Sequence, residues 1–206
     1  MPMLRALISS LLFLSPSVLG QEEYTVLFLG DSLTEGLGLD AVQAYPSLVD
    51  EKLQAEGYGH INVINAGISG STSASALERM QWYVRSQPDL VFLALGANDG
   101  LRGLNVANMR NNLAEAIEFA LSNNVDVALA GMLIPPNMGE EYTTEFARVF
   151  PDLAAHYDIP LMPFLLQDVA AMPELNQADG IHPNAEGSVI VAAHVYDFLL
   201  PLLPQE

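Results

Sequence analysis

The 206-residue sequence predicts an α/β domain: a three-layer αβα sandwich, flavodoxin-like, around a central five-stranded parallel sheet. Three observations carry this expectation. From residue 24 onward, short apolar and β-branched runs alternate with segments of helical period, the pattern of βαβ units. The runs are apolar throughout rather than alternating, as expected for strands covered on both faces. No repeat, low-complexity tract or linker interrupts the series, so one domain spanning residues 22–206 is expected.

The elements follow in chain order. Residues 1–20 stand apart: Arg5 precedes an apolar stretch from Ala6 to about Leu14, then a proline and small residues lead to Gln21-Glu22-Glu23. That is the layout of a secretory signal, with Val18 and Gly20 as the small cleavage-site residues. The stretch is shorter than the roughly 20 apolar residues of a spanning helix. Export to the periplasm or medium is expected, with no integral span left after cleavage. The first strand is Tyr24–Leu29, followed by a helix over Tyr45–Glu56 with Leu48, Val49 and Leu53 on one stripe. Ile61–Ile64 is the second strand. Ala74–Arg85 is a helix carrying Leu77, Met80, Trp82 and Val84, and Leu90–Leu95 is the third strand. Val106–Ser122 places Met109, Leu113, Ile117 and Ala120 at helical spacing before a fourth strand, Val125–Ala130. Thr143–Tyr157 presents Phe146, Val149, Phe150 and Leu153, and a weaker run, Pro160–Phe164, supplies the fifth strand. Asn184–Leu200 closes the chain with Val189, Ala192, Ala193 and Tyr196. Pro46, Pro135-Pro136, Pro160 and Pro183 mark boundaries. Met80, Trp82, Met109 and Met132 read as core or pocket wall.

Composition narrows the function. With 25 acidic and 7 basic residues the formal charge is −18, unsuited to counterion displacement from nucleic acid or to docking on anionic lipid. The same charge favours a soluble monomer. The absence of cysteine excludes disulfides, thiolate metal sites and a Cys nucleophile.

In parallel sheets, ligands bind beyond the carboxyl ends of the strands. The residues there are Gly30-Asp31-Ser32, Asn65-Ala66-Gly67, Gly96-Ala97-Asn98-Asp99 and Gly131-Met132. Ser32, lifted above the sheet by a turn at Gly30, is a candidate nucleophile, although a serine at such a turn is also a common helix cap. A nucleophilic serine needs a base. His60, His156 and His194 read as ordinary surface or core histidines. His182 lies in Asp179-Gly-Ile-His-Pro-Asn184, where Asp179, three residues earlier, can reach back to the ring and fix its tautomer. Gly67 offers an unobstructed N–H and Asn98 a side-chain NH2, which with the Ser32 N–H make three donors for an oxyanion. Singly, each is as well read as a turn residue; together they form a complete acyl-transfer set.

Gly30-Asp-Ser-Leu33, Gly67, Gly96-x-Asn98-Asp99 and Asp179-x-x-His182 resemble, in order, the blocks of the SGNH/GDSL hydrolase family. Asn65-Ala-Gly-Ile-Ser-Gly70, Leu95–Gly103 and Ile134-Pro-Pro-Asn137 are similar to its bacterial arylesterase, thioesterase I and lysophospholipase L1 group. The resemblance covers nearly the whole chain after residue 20. Ala97 stands where relatives often have Gly, and Ser71 where they often have Asp. The resemblance implies a Ser32–His182–Asp179 triad, an oxyanion hole of Ser32, Gly67 and Asn98, and no metal or cofactor. It also implies a pocket bordered by Gly100–Asn105 and Ile134–Tyr142, with Asp31, Leu33, Gly100, Leu101, Ile134, Pro135, Met138, Tyr142 and Ile181 as substrate contacts. The expected partner is a small ester or thioester. Two alternatives stay open: a carbohydrate or lipid deacylase with the same triad, and a non-catalytic flavodoxin-like binding module. No G-x-S-x-G elbow is present, which disfavours the α/β-hydrolase arrangement.

Overall fold

In the computed structural model, which describes residues 22–204, five parallel strands form one sheet in the order β2-β1-β3-β4-β5. They are β1 (Tyr24–Gly30), β2 (Ile61–Gly67), β3 (Leu90–Ala94), β4 (Asp126–Ala130) and β5 (Leu161–Met162). Seven helices intervene: α1 (Ser32–Glu35), α2 (Tyr45–Ala55), α3 (Ala76–Tyr83), α4 (Ala97–Leu101), α5 (Val106–Ser122), α6 (Glu140–Tyr157) and α7 (Ala185–Leu199). Helices α2 and α7 pack together on one face of the sheet, and α3, α5 and α6 on the other, giving the expected three layers. The expected signal over residues 1–20 lies outside the described residues.

Strand β1 is an interior strand: it pairs with β2 along its whole length, Tyr24 opposite Ile61 and Gly30 opposite Gly67, and with β3 from Val26 to Gly30. Val26, Leu27, Phe28 and Leu29 are fully buried, as is every residue of β3. Burial on both faces is why these strands read as unbroken apolar runs. The fifth strand is shorter than Pro160–Phe164, pairing only Leu161 with Leu129 and Met162 with Ala130. Pro160 and Pro163 flank it, and neither has an N–H to extend the ladder.

The helices follow the sequence closely where the period is long. Helix α5 has the expected bounds, its first turn capped by Asn105, whose Oδ1 accepts from Asn108 N. Helix α6 starts at Glu140 rather than Thr143, with Glu140 and Glu141 in the dipole-favoured first turn. The segment Ala74–Arg85 is not one helix: 3-10 turns at Ser73–Ser75 and Val84–Ser86 flank α3. Two expected core positions are corrected. Trp82 is 66% exposed, with the Arg85 guanidinium 5.3 Å from its ring centre, and Val189 is 56% exposed on the outer side of α7. Met80, Met109 and Met132 are buried as expected. The segment Ala185–Leu202 has the length and apolarity of a membrane-crossing helix. Within it α7 buries Val191, Val195, Tyr196 and Leu199 inside the domain.

Candidate active site

The carboxyl end of β1 leads directly into α1. Asp31 caps that helix, its Oδ1 accepting from Leu33 N at 3.0 Å, and is itself 1% exposed. Ser32 is the first helical residue and 8% exposed. The floor beneath it is close-packed. A Cβ on Gly67 would overlap the Glu35 backbone of α1, so only glycine lets the helix sit down on the end of β2. Below, the buried Arg79 of α3 donates to the carbonyls of Gly30 (2.9 Å) and Ala66, closing the ends of β1 and β2.

His182 comes from the loop before α7. That loop is held by backbone and amide bonds: Gln177 N to His182 O at 2.8 Å, and Gln177 Nε2 to Pro183 O at 2.9 Å and to Leu37 O at 2.7 Å, just past α1. Asn184 then caps α7, accepting from Gly187 N. Asp179 Oδ1 accepts from the backbone N–H groups of Ile181 and His182 at 2.9 and 3.0 Å, and its Oδ2 lies 2.7 Å from His182 Nδ1. A carboxylate can only accept, so Nδ1 carries the proton and the Nε2 lone pair faces Ser32 Oγ at 2.8 Å. Donation from the Ile181 backbone, then from the His182 ring and backbone, holds the Asp179 carboxyl down to about 2. Asp31 goes the other way: burial pushes its carboxyl up to about 6, against the bonds from Leu33 and Asn98 and the charges of His182 and Arg79. The remaining histidines stand apart. His60 precedes β2, His156 packs edge-on against Tyr157, and His194 lies 3.5 Å from Asp168.

Asn98 projects from α4 at the exit of β3, and its Nδ2 donates to Asp31 Oδ2 at 3.3 Å, next to Ser32. Gly67 is corrected. Its N–H is already bonded to Asn65 Oδ1 at 2.9 Å, and its Cα packs against α1. The glycine beside Asn98 is Gly70, three residues on. Arg102 Nη2 donates both to Gly70 O at 3.0 Å and to Asn98 Oδ1 at 3.3 Å. Gly70 is exposed, and its own N–H serves none of the described backbone bonds. Both glycines sit in one short block, and the bond to Asn65, the packing under α1 and the exposure of Gly70 separate them. Asp99 is 3% exposed and anchors α4 by accepting from Ser73 N and Oγ at 2.8 and 2.6 Å.

A cavity of about 350 Å3 opens past Leu33, the residue after Ser32. Of the residues expected to contact substrate, Leu33, Leu101, Ile134, Pro135 and Ile181 line it, joined by Met132, Phe164 and Leu166, and no lining residue is charged. Four expected contacts fall elsewhere. Asp31 is sealed under α1. Gly100 lies behind the wall, against Ile134 and Phe146. Met138 sits over Gly103. Tyr142 ties down the loop after α4, its hydroxyl donating to Leu104 O at 2.8 Å. Among the described residues no group of three or more His, Asp or Glu is placed to hold a metal ion.

Comparison with known proteins identifies the family of the chain. Residues 28–190 match the GDSL-like lipase/acylhydrolase family. The chain is 40% identical over 180 residues to the esterase TesA of Pseudomonas aeruginosa, covering 87% of this chain and 89% of that protein. It is 37% identical over 190 residues to an arylesterase of Vibrio mimicus, covering 92% and 94%. The crystal structure of the psychrotrophic esterase EstA from Pseudoalteromonas sp., inhibited by monoethylphosphonate, superposes with a TM-score of 0.83 at 35% identity, covering 87% of this chain and 98% of that one.

Proposed function

We infer the reaction from a premise that these matches supply: this chain belongs to the GDSL-like lipase/acylhydrolase family and is a carboxylic ester hydrolase of the GDSL type. Ser32 is the nucleophile. As its Oγ attacks the acyl carbonyl carbon, its proton passes to His182 Nε2, 2.8 Å away. Asp179 holds the ring through Nδ1 and stabilises the imidazolium that forms. The oxyanion is met by the Ser32 N–H, the free hydrogen of Asn98 Nδ2, and the N–H of Gly70 in place of Gly67. Collapse of the tetrahedral adduct breaks the ester C–O bond, and the alcohol leaves with the proton held by His182. Water, deprotonated by His182, then attacks the acyl carbon; the bond from that carbon to Ser32 Oγ breaks, Oγ takes the proton back from His182, and the acid is freed.

The observation carrying this reading is the continuous relay of 2.7 and 2.8 Å from Asp179 through His182 to Ser32. The uncharged cavity wall favours an apolar acyl or aryl group over an acetylated sugar. With membership of a hydrolase family, the non-catalytic binding module falls away. Ser32→Ala is expected to abolish turnover of a p-nitrophenyl ester and labelling by a fluorophosphonate. Retention of either would overturn the assignment. Export is read from the first twenty residues, and recovery of a protein beginning at Gln21 from the periplasm or medium tests it.

A further inference from the structure

We propose that Arg102 is a positioning residue of the oxyanion hole, because one of its nitrogens holds the Asn98 amide oxygen and the Gly70 carbonyl at once and so fixes the two donors relative to each other. This rests on the acyl-enzyme reading above. Three facts carry it. Arg102 Nη2 has two hydrogens and two acceptors, Gly70 O at 3.0 Å and Asn98 Oδ1 at 3.3 Å, which belong to different strand exits, β2 and β3. Its backbone is anchored one helical turn after Asn98, Arg102 N donating to Asn98 O at 3.2 Å. The opposite end of the same amide is fixed too, since Asn98 Nδ2 donates to Asp31 Oδ2 at 3.3 Å.

The consequence is geometric. An asparagine amide has two ends, and nothing in a free side chain decides which one faces the substrate. Here a carboxylate that only accepts stands at one end and a guanidinium that only donates stands at the other, so a flipped amide would set donor against donor and acceptor against acceptor. With the amide held this way, one Nδ2 hydrogen is used by Asp31 and the other is left for substrate. Holding donors at fixed positions before charge develops is what makes such a hole effective, since reorientation during the reaction would consume its advantage. Arg102 is exposed, so its two bonds contribute little to folding stability. A loss of activity with an unchanged fold therefore separates positioning from structural support.

The test compares wild type with Arg102→Ala and Arg102→Lys, alone and with Asn98→Ala. It measures kcat and KM on a p-nitrophenyl ester, affinity for an arylboronic acid that forms a tetrahedral adduct on Ser32, and Tm. Arg102→Ala is expected to lower kcat about 10- to 100-fold, somewhat less than loss of a donor outright, with KM and Tm nearly unchanged. Boronate affinity falls by the same factor as kcat. Lysine, able to donate to both oxygens, restores part of the rate. In the Asn98→Ala background the Arg102 change costs much less. Unchanged kcat in Arg102→Ala overturns the proposal, as does a full cost in both backgrounds. A rise in KM at constant kcat also overturns it and makes Arg102 a substrate-binding group. Fluorophosphonate labelling of Ser32 is read alongside, so failure of the proposal stays distinct from failure of the serine assignment.

Discussion

The two arms of the site are built in opposite ways. The Ser32 arm grows from the interior strand β1: Asp31, Ser32, Leu33 and Thr34 are all buried, and glycine contacts let α1 press on the sheet end. The His182 arm is a surface loop in which Gly180 and Ile181 are exposed and Asp179 has 44% of its side chain in solvent. It is held by backbone turns and by the amides of Asn176 and Gln177 rather than by core packing. The carboxylates record the contrast, with Asp31 pushed up to about 6 by burial and Asp179 drawn down to about 2 by donated hydrogen bonds. Precision is therefore obtained once from close packing and once from a local hydrogen-bonded turn. The second tolerates sequence change better in its fold than in its chemistry.

The largest expected effect sharpens that last point. Asp179→Asn keeps the shape of the loop but lets Nδ1 lose its acceptor, so kcat should fall by about 10⁴ with little change in Tm. A comparable fall in Tm would mean the loop is part of the folding core after all. Next come paired glycine substitutions. Gly67→Ala forces a Cβ into the Glu35 backbone and should cost about 3 kcal/mol or more of stability, with activity lost alongside. Gly180→Ala meets no atom within 4 Å and bears only its φ of +67°, a cost of about 1–2 kcal/mol, and should stay active. Equal Tm losses would erase the distinction between the arms. The smallest effect depends on pH. Asp31 binds its proton more tightly in the folded chain than at its ordinary 3.8, so its stability contribution is retained below pH 3.8 and lost as pH rises toward 6. Asp31→Asn should therefore be more stable than wild type between pH 4 and 7, by on the order of 1–2 kcal/mol at the upper end and seen as a higher Tm, while losing activity. A Tm difference independent of pH would show that the buried carboxyl is not under strain.

Much of this was legible in the sequence, for reasons that differ by element. Strands β1, β3 and β4 announce themselves because burial on both faces leaves nothing polar in them. Helix α5 does so because seventeen residues give its period several repeats. Helices α1 and α4 were invisible: four or five residues carry less than two turns, and their residues were chosen by the site rather than by an apolar face. Trp82 and Val189 were misplaced because a stripe read loosely along a helix spans more than its buried third. Ser32, Asn98, Asp179 and His182, which the structure brings together, stand out in the sequence because each is chemically distinctive at a strand exit or helix start. Gly67 drew the reading because it stands at the strand exit, and nothing in the sequence shows that its N–H is taken by Asn65 while Gly70, three residues on, lies beside Arg102 and Asn98. Arg79 and Arg102 gave no signal, since their partners are backbone and amide oxygens that no pattern marks.

The hydrogen bond between Ser32 and His182 joins residues 150 positions apart, and it depends on a sheet whose neighbours β1 and β3 are themselves separated in the chain by α1, α2, β2 and α3. Contacts of such long sequence separation are slow to form, because loop closure comes before any reward from the contact. The loop carrying His182 also adds little to the core that drives collapse. In refolding from denaturant, helical structure should therefore return first. Reactivity of Ser32 toward a fluorophosphonate should lag behind it, so that for a time the chain is largely folded and still unable to hydrolyse anything.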